Sequence, residues 1–96
     1  MELAKVMGQV VSTVRTPGLP SNSLLLVEFV KPEGEGSSRC AVALDPIGAG
    51  EGEWVIVTRG GSARFAVDAG SPVDLVIVGI VDHVTAGGKA LYRKNG

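Results

Sequence analysis

Few side chains in this chain could carry acid–base chemistry. Asp45, Glu51, Glu53, Asp74 and Asp82 offer carboxylates for pairing, and Asp82 stands directly before the single histidine, His83. A working carboxylate pair needs two environments that push the two pKa values apart, and a histidine site needs a nucleophile or further ligands close in space. Most of these carboxylates lie beside Pro or Gly at the ends of apolar runs, where Asp commonly caps turns. They form no catalytic set, and His83 reads as a residue at a strand end. One cysteine, Cys40, and one histidine cannot supply a structural zinc site, which takes four ligands at short spacings. Inside its apolar run Cys40 reads as a small hydrophobe, and Arg39, on the opposite strand face, is badly placed to hold a thiolate. These residues point to a protein that is not an enzyme and that has no cofactor and no metal.

The run Gly48-Ala49-Gly50-Glu51-Gly52 has the look of a phosphate-cradling loop. In a G-x-G-x-x-G pattern the third glycine would fall on Glu53, and Glu51 and Glu53 would repel phosphate. The glycines are better explained by backbone needs, either positive φ or close packing against another chain. A ligand-binding loop working with Asp82 and His83 is the alternative for the same residues.

Composition sets what must hold these residues. The chain has 96 residues, 45% hydrophobic and 20% charged, and a mean hydropathy of +0.30. That describes one small, apolar domain. A domain of this size buries only roughly 60% of its unfolded surface and is marginal without added stabilisation. Neither a disulfide nor zinc is available from one cysteine and one histidine, so subunit contacts remain, and they would also use the apolar surplus. The balance of nine Lys and Arg against ten Asp and Glu, with a pI near 5.7, gives little pull toward nucleic acid or an anionic membrane. The N-terminal residues lack the pattern of a secretory signal, and the apolar stretch from Val73 to Val84 is too short to span a bilayer as a helix. The expectation is a cytoplasmic protein.

Valine and glycine dominate the composition, which favours strands joined by turns. The period-2 pattern predicts a strand from Leu3 to Thr13 with Ala4, Val6, Gly8 and Val10 on one face and a bend at Gly8. After the turn 16–22 a second strand covers Ser23 to Lys31, apolar on both faces. The tip 32–38 is expected to be solvated, and a third strand runs from Arg39 to Leu44. A fourth covers Glu53 to Arg59, and the fifth and most apolar, Leu75 to Val81, is expected to be central. Ser62 is placed to cap one short helix over 62–67. The end, 85–96, reads as a glycine turn with room for a short edge strand and then a solvated basic tail. Five strands and a short helix in so few residues predict an all-β, five-stranded OB-like barrel, because curling the sheet on itself removes its edges.

Several stretches, taken in order, are together similar to one family. They are Leu3-Ala4-Lys5-Val6-x-Gly8-x-Val10-Val11-Ser12-Thr13, Leu24-Leu25-Leu26-Val27, Ala43-x-Asp45-x-Ile47-Gly48-Ala49-Gly50-Glu51-Gly52-Glu53, and Val78-Gly79-Ile80-Val81-Asp82. With Gly60-Gly61-Ser62-Ala63-Arg64, the chain resembles the EutN/CcmL family of bacterial microcompartment vertex proteins from Met1 to about Val84. It departs from the family pattern at Leu19-Pro20-Ser21-Asn22-Ser23, where a basic residue is common, and at Gly61, where serine is more usual.

The resemblance implies a barrel domain over 1–84, followed by the segment 85–96, and assembly into a ring-shaped homopentamer. Its partners would be hexameric shell proteins, with the pentamers at the five-fold corners of a polyhedral shell. It places Gly48, Ala49, Gly50, Glu51, Gly52 and Glu53 in the loop near the pentamer axis, and Gly60, Ser62, Ala63 and Arg64 near a subunit contact. A competing reading of a different class is an OB-like module that binds single-stranded nucleic acid or a protein partner. That role needs stacking aromatics and a basic groove, whereas Phe29, Trp54, Phe65 and Tyr92 are scattered along the chain.

Overall fold

The computed structural model describes residues 1–13, 23–31, 36–59 and 74–94. They form seven strands: β1 (Glu2–Val10), β2 (Ser23–Val30), β3 (Gly36–Asp45), β4 (Trp54–Arg59), β5 (Leu75–Ile80), β6 (His83–Ala86) and β7 (Lys89–Arg93). The first five close into a barrel in the order β1-β2-β3-β5-β4, and β6 and β7 make a separate hairpin. The turn expected over 16–22 and the helix expected over 62–67 both lie outside the described residues. The tip expected over 32–38 is described only from Gly36, where β3 has already begun. The strand Leu75–Ile80 is one wall element among five in a closed ring of strands, paired with β3 on one side and β4 on the other.

Closure depends on β1. It pairs antiparallel with β2 from Ala4↔Phe29 to Val10↔Leu24, and antiparallel with β4 from Glu2↔Val57 to Lys5↔Trp54. A strand that bonds on both sides must bend around the barrel, and the β1–β2 register shifts between Val6 and Gly8, where the sequence pattern predicts a bend. An extra residue in one strand increases local twist and coils the sheet.

Alternation then sorts the side chains. Ala4, Val6, Leu25, Val27, Phe29, Ala43, Val55, Val57, Leu75 and Ile77 point inward as one core, with Ala41, Ala49 and Ile80 packed against it. The apolar residues of the opposite faces go outward. Leu44, Val76 and Leu24 form a second cluster there, and Leu26, Val42 and Val78 are left 37%, 45% and 36% exposed. Leu26 and Val42 stand directly opposite each other on β2 and β3. Cys40 is a correction to the sequence reading: it is exposed, because β3 turns Ala41 and Ala43 inward and strand alternation leaves its neighbour outside.

At one end of the barrel Glu2 of β1 accepts from Arg59 Nε of β4 at 2.9 Å and from Arg39 Nη2 of β3 at 3.5 Å. Both guanidinium groups lie over the ring of Phe29, 4.6 and 5.1 Å from its centroid. This ties side chains of four strands together, although each exposed ion pair contributes only about 0–1 kcal/mol.

The interior sets stability. Ile77→Ala removes a fully buried side chain and is expected to cost about 2–5 kcal/mol in denaturant unfolding at fixed protein concentration. Lys5→Ala, on the exposed face of β1, is expected to stay within about 0.5 kcal/mol of the parent. Equal costs at the two positions would mean that the assigned interior is wrong.

Candidate functional site

The residues singled out by type and spacing come together where β3 passes into β4. Asp45 ends β3 and is 6% exposed. Its Oδ1 accepts from the amides of Ile47 at 3.2 Å and Gly48 at 3.0 Å, and its Oδ2 accepts from the amide of Ala49 at 2.8 Å. A carboxylate at this position replaces backbone partners that the departing strand can no longer supply. Asp45 is therefore a turn-capping residue, as its place beside Pro46 suggested.

Beyond it the chain needs glycine. Gly48 and Gly52 both have φ of +88°, a region costly for residues with a Cβ. Glu53 closes the loop. Its amide donates to the carbonyl of Gly50 at 3.1 Å and its carbonyl accepts from the amide of Val6 at 2.9 Å, while Gly52 N donates to Val6 O at 2.8 Å. Its side chain folds back so that Oε1 accepts from the Gly50 amide at 2.6 Å, and Oε2 faces Lys94 Nζ at 3.0 Å. The loop is thus pinned at its start by Asp45 and at its end by Glu53.

Between the pins the loop walls an open cavity of about 340 Å³, whose other lining includes Val6, Gly8, Gln9, Ser23 and Leu25. Ala49 packs toward the core, whereas Ile47 is 49% exposed at the outer edge of the loop. Glu51 and Gly50 are exposed. Gly60, Ser62, Ala63 and Arg64 lie outside the described residues.

Among the described residues, Asp82, His83 and the aromatic candidates stand apart from this carboxylate group. Asp82 lends its carbonyl to Lys94 N at 2.7 Å, and His83 is exposed at the start of β6, paired with Arg93. Phe29 is buried in the core, and Trp54 is 6% exposed beneath the ring of Tyr92, 4.6 Å away and inclined by 13°. Two of the aromatics are therefore occupied by the fold and offer no stacking platform to a base.

Sequence reasoning missed Tyr92 and Lys94. Lys94 was expected on a solvated tail, yet it is paired with Glu53, and Tyr92 covers Trp54 and accepts from its amide through the hydroxyl at 3.3 Å. Both are carried by the β6–β7 hairpin, whose turn residues Gly87 and Gly88 have φ of +60° and +79°. Two positive-φ residues between paired Ala86 and Lys89 make the two-residue hairpin turn that Gly-Gly favours. That dipeptide between Val84-Thr85-Ala86 and Ala90-Leu91-Tyr92 was the available signal.

The Glu53 carboxyl is held below the usual carboxylate range, first by the Gly50 amide and then by Lys94. The Lys94 ammonium is held above the usual lysine range by its hydrogen bond to Glu53 and by the charge of that carboxylate, with smaller contributions from Asp82 and Tyr92.

Comparison with known proteins gives a consistent likeness along the whole chain. A family model described as ethanolamine utilisation protein EutN/carboxysome matches residues 1–82. The chain is 52% identical over 95 residues to the bacterial microcompartment shell vertex protein EutN of Escherichia coli K12, covering 98% of this chain and 100% of that protein. It is 47% identical over 95 residues to the carboxysome shell vertex protein CcmL of Synechocystis, covering 98% and 95%. Its fold superposes with a TM-score of 0.81 on the GrpN pentameric microcompartment shell protein from Rhodospirillum rubrum, at 41% identity over 90% of this chain and 100% of that one.

Two predictions concern the pins. Asp45→Ala strips the acceptor from three amides and is expected to cost about 1–3 kcal/mol, with faster hydrogen exchange at Ile47, Gly48 and Ala49; unchanged exchange there would remove Asp45 from its capping role. The second concerns pH. A lowered Glu53 pKa means that its contribution is complete above the ordinary carboxylate range and is lost as pH falls through the lowered value. A raised Lys94 pKa means that its contribution is complete below the ordinary lysine range and is lost as pH rises through the raised value. Glu53→Gln should therefore flatten both the acid and the alkaline limbs of the stability–pH curve relative to the parent, and limbs that superpose would show that the pair does not stabilise the fold.

Proposed function

Because the chain belongs to the EutN/CcmL family, we propose that it is a structural protein of a bacterial microcompartment shell, a homopentamer that caps the five-fold vertices. The observation that carries this reading is the end-to-end match, at 52% identity, to a shell vertex protein. Likeness to a pentameric shell protein over its full length supports the ring. The requirement behind the role is geometric. Hexameric tiles alone make a flat sheet, and a closed polyhedron needs pentagons at its corners, so the partners of this protein are hexameric shell proteins and its place in the cytoplasm is the shell itself. Its work is closure and not catalysis.

In this reading the five-stranded barrel, which ends with β5 at Ile80, is the building unit and the β6–β7 hairpin, His83 to Arg93, is its appendage, so that the boundary expected at Val84 falls inside β6. The loop of Gly48, Ala49, Gly50, Glu51, Gly52 and Glu53 lies toward the five-fold axis, and Gly60, Ser62, Ala63 and Arg64 meet a neighbouring subunit. The exposed apolar pair Leu26 and Val42 and the half-exposed Ile47 support a ring, since cyclic symmetry gives every subunit a neighbour on two sides. A closed barrel without such neighbours would leave those side chains in water.

Native mass spectrometry at micromolar concentration is expected to give about 49 kDa, five times the 9.8 kDa chain. Ile47→Asp, a change at an exposed loop position, and Ala49→Asp are each expected to shift that mass toward monomer by setting like charges around the axis. Because Ala49 also packs on the core, the emission of Trp54 serves as the check that the barrel is intact. A parent that is monomeric would overturn the vertex reading; an intact ring in Ile47→Asp would take the loop away from the subunit contact.

A further inference from the structure

We propose that the β6–β7 hairpin is the positioning element of the glycine loop, with Tyr92 and Lys94 holding residues 48–53 in the shape that meets the neighbouring subunit. The inference rests on the placement of that loop at a subunit contact. It is carried by where the hairpin touches the barrel. Tyr92 stacks on Trp54 and receives its amide, Lys94 pairs with Glu53, and Val81 N, just ahead of β6, donates to Trp54 O at 2.9 Å. All of these contacts fall on two consecutive residues, Glu53 and Trp54, the last of the loop and the first of β4.

Among the described residues the hairpin has little else to hold it. Most of its residues are exposed, and a lone two-stranded hairpin is marginal in water. Lys94 N also donates to Asp82 O, which closes the base of the hairpin and brings its two legs to the same spot. The loop, for its part, needs a distant support. Its start is pinned locally by Asp45, but two of its residues occupy positive φ and glycine carries the largest conformational entropy to be lost. Glu53 fixes the far end only while its carboxylate is held toward Gly50, and Lys94 holds the other oxygen of that carboxylate. Lys94 and Tyr92 are thus positioning residues, acting on the contact through Glu53 and Trp54.

A ring multiplies the effect. An exposed ion pair shifts a local equilibrium by only about twofold to fivefold, but the same loss recurs in every subunit of a cyclic assembly. A twofold loss in each of five subunits becomes roughly thirtyfold in the assembly constant.

The test uses the full chain as the assembled ring, with Lys94→Met, Lys94→Arg and Tyr92→Phe. Two quantities are read for each: amide exchange at Gly50 and Gly52 against Ile77, and the concentration at which the ring dissociates. Lys94→Met is expected to speed exchange at Gly50 by about twofold to fivefold while Ile77 stays unchanged, and to raise the dissociation concentration. Lys94→Arg should restore both, and Tyr92→Phe, which keeps the stacked ring and loses the hydroxyl, should fall between. Unchanged loop exchange in Lys94→Met would overturn the proposal outright. Faster loop exchange with an unchanged ring would overturn its assembly half, and Ile47→Asp then separates the causes: if that variant also leaves the ring intact, the loop is not at a subunit contact. If Ile47→Asp breaks the ring while Lys94→Met does not, the contact stands and the hairpin does not control it.

Discussion

The two-sided pairing of β1 is the constraint on which the rest depends. Five strands leave two edges, and in a chain of 96 residues an open edge is a site for uncontrolled association. By bonding to β2 along one side and to β4 along the other, β1 removes both. The register shift between Val6 and Gly8 supplies the coil that lets one strand serve two neighbours. Closure then decides which faces are interior, and the period-2 pattern of each strand does the remainder. It also decides where the loop after β3 lies, because Val6 of β1 bonds to the main chain of Gly52 and Glu53.

The loop from Asp45 to Glu53 is consequently part of the closure and not an addition to it. Its shape is written in backbone hydrogen bonds and two carboxylates, each used to accept amides. That use occupies two of the carboxylates grouped around the glycines. Both Asp45 oxygens are committed to three amides, and the Glu53 oxygens to Gly50 and Lys94. A general acid or base must be able to exchange its proton with a substrate, and carboxylates engaged this way serve instead as fixed acceptors.

Most of the barrel was legible in the sequence. The bend at Gly8, the alternation in β1, the two-faced β2, the strongly apolar β5 and the capping habit of Asp45 follow from residue type and period alone. Cys40 was misread because its place in an apolar run was taken to make it a small hydrophobe, whereas strand alternation around Ala41 and Ala43 puts it outside. Lys94 was misread because a terminal basic segment has no local partner. Its partner, Glu53, comes from a distant part of the chain and is brought beside it only by the hairpin turn at Gly87-Gly88. Contacts of that kind carry no short-range signature. The family resemblance reached the loop by its motif, but it could not say which side chains hold the loop in place.

The same physics connects the fold to its role. Small barrels bury one face of each strand and leave the other to water or to a neighbour. Here the outward residues of β2, β3 and β5 include Leu24, Leu26, Val42, Leu44, Val76 and Val78, and some, such as Leu44 and Val76, are buried even so. Others, Leu26, Val42 and Val78, are left part-exposed. A monomer with this wall would gain from covering it, and uncontrolled covering is aggregation. A closed ring satisfies the surface with a fixed number of copies and then stops, provided that the angle between neighbours is set. In a subunit whose edges are sealed, that angle must come from side chains and loops. The loop that β1 anchors and Glu53 closes is one such element, and with that loop at a subunit contact, as proposed, its supports, including a hairpin far along the chain, belong to the geometry of the assembly.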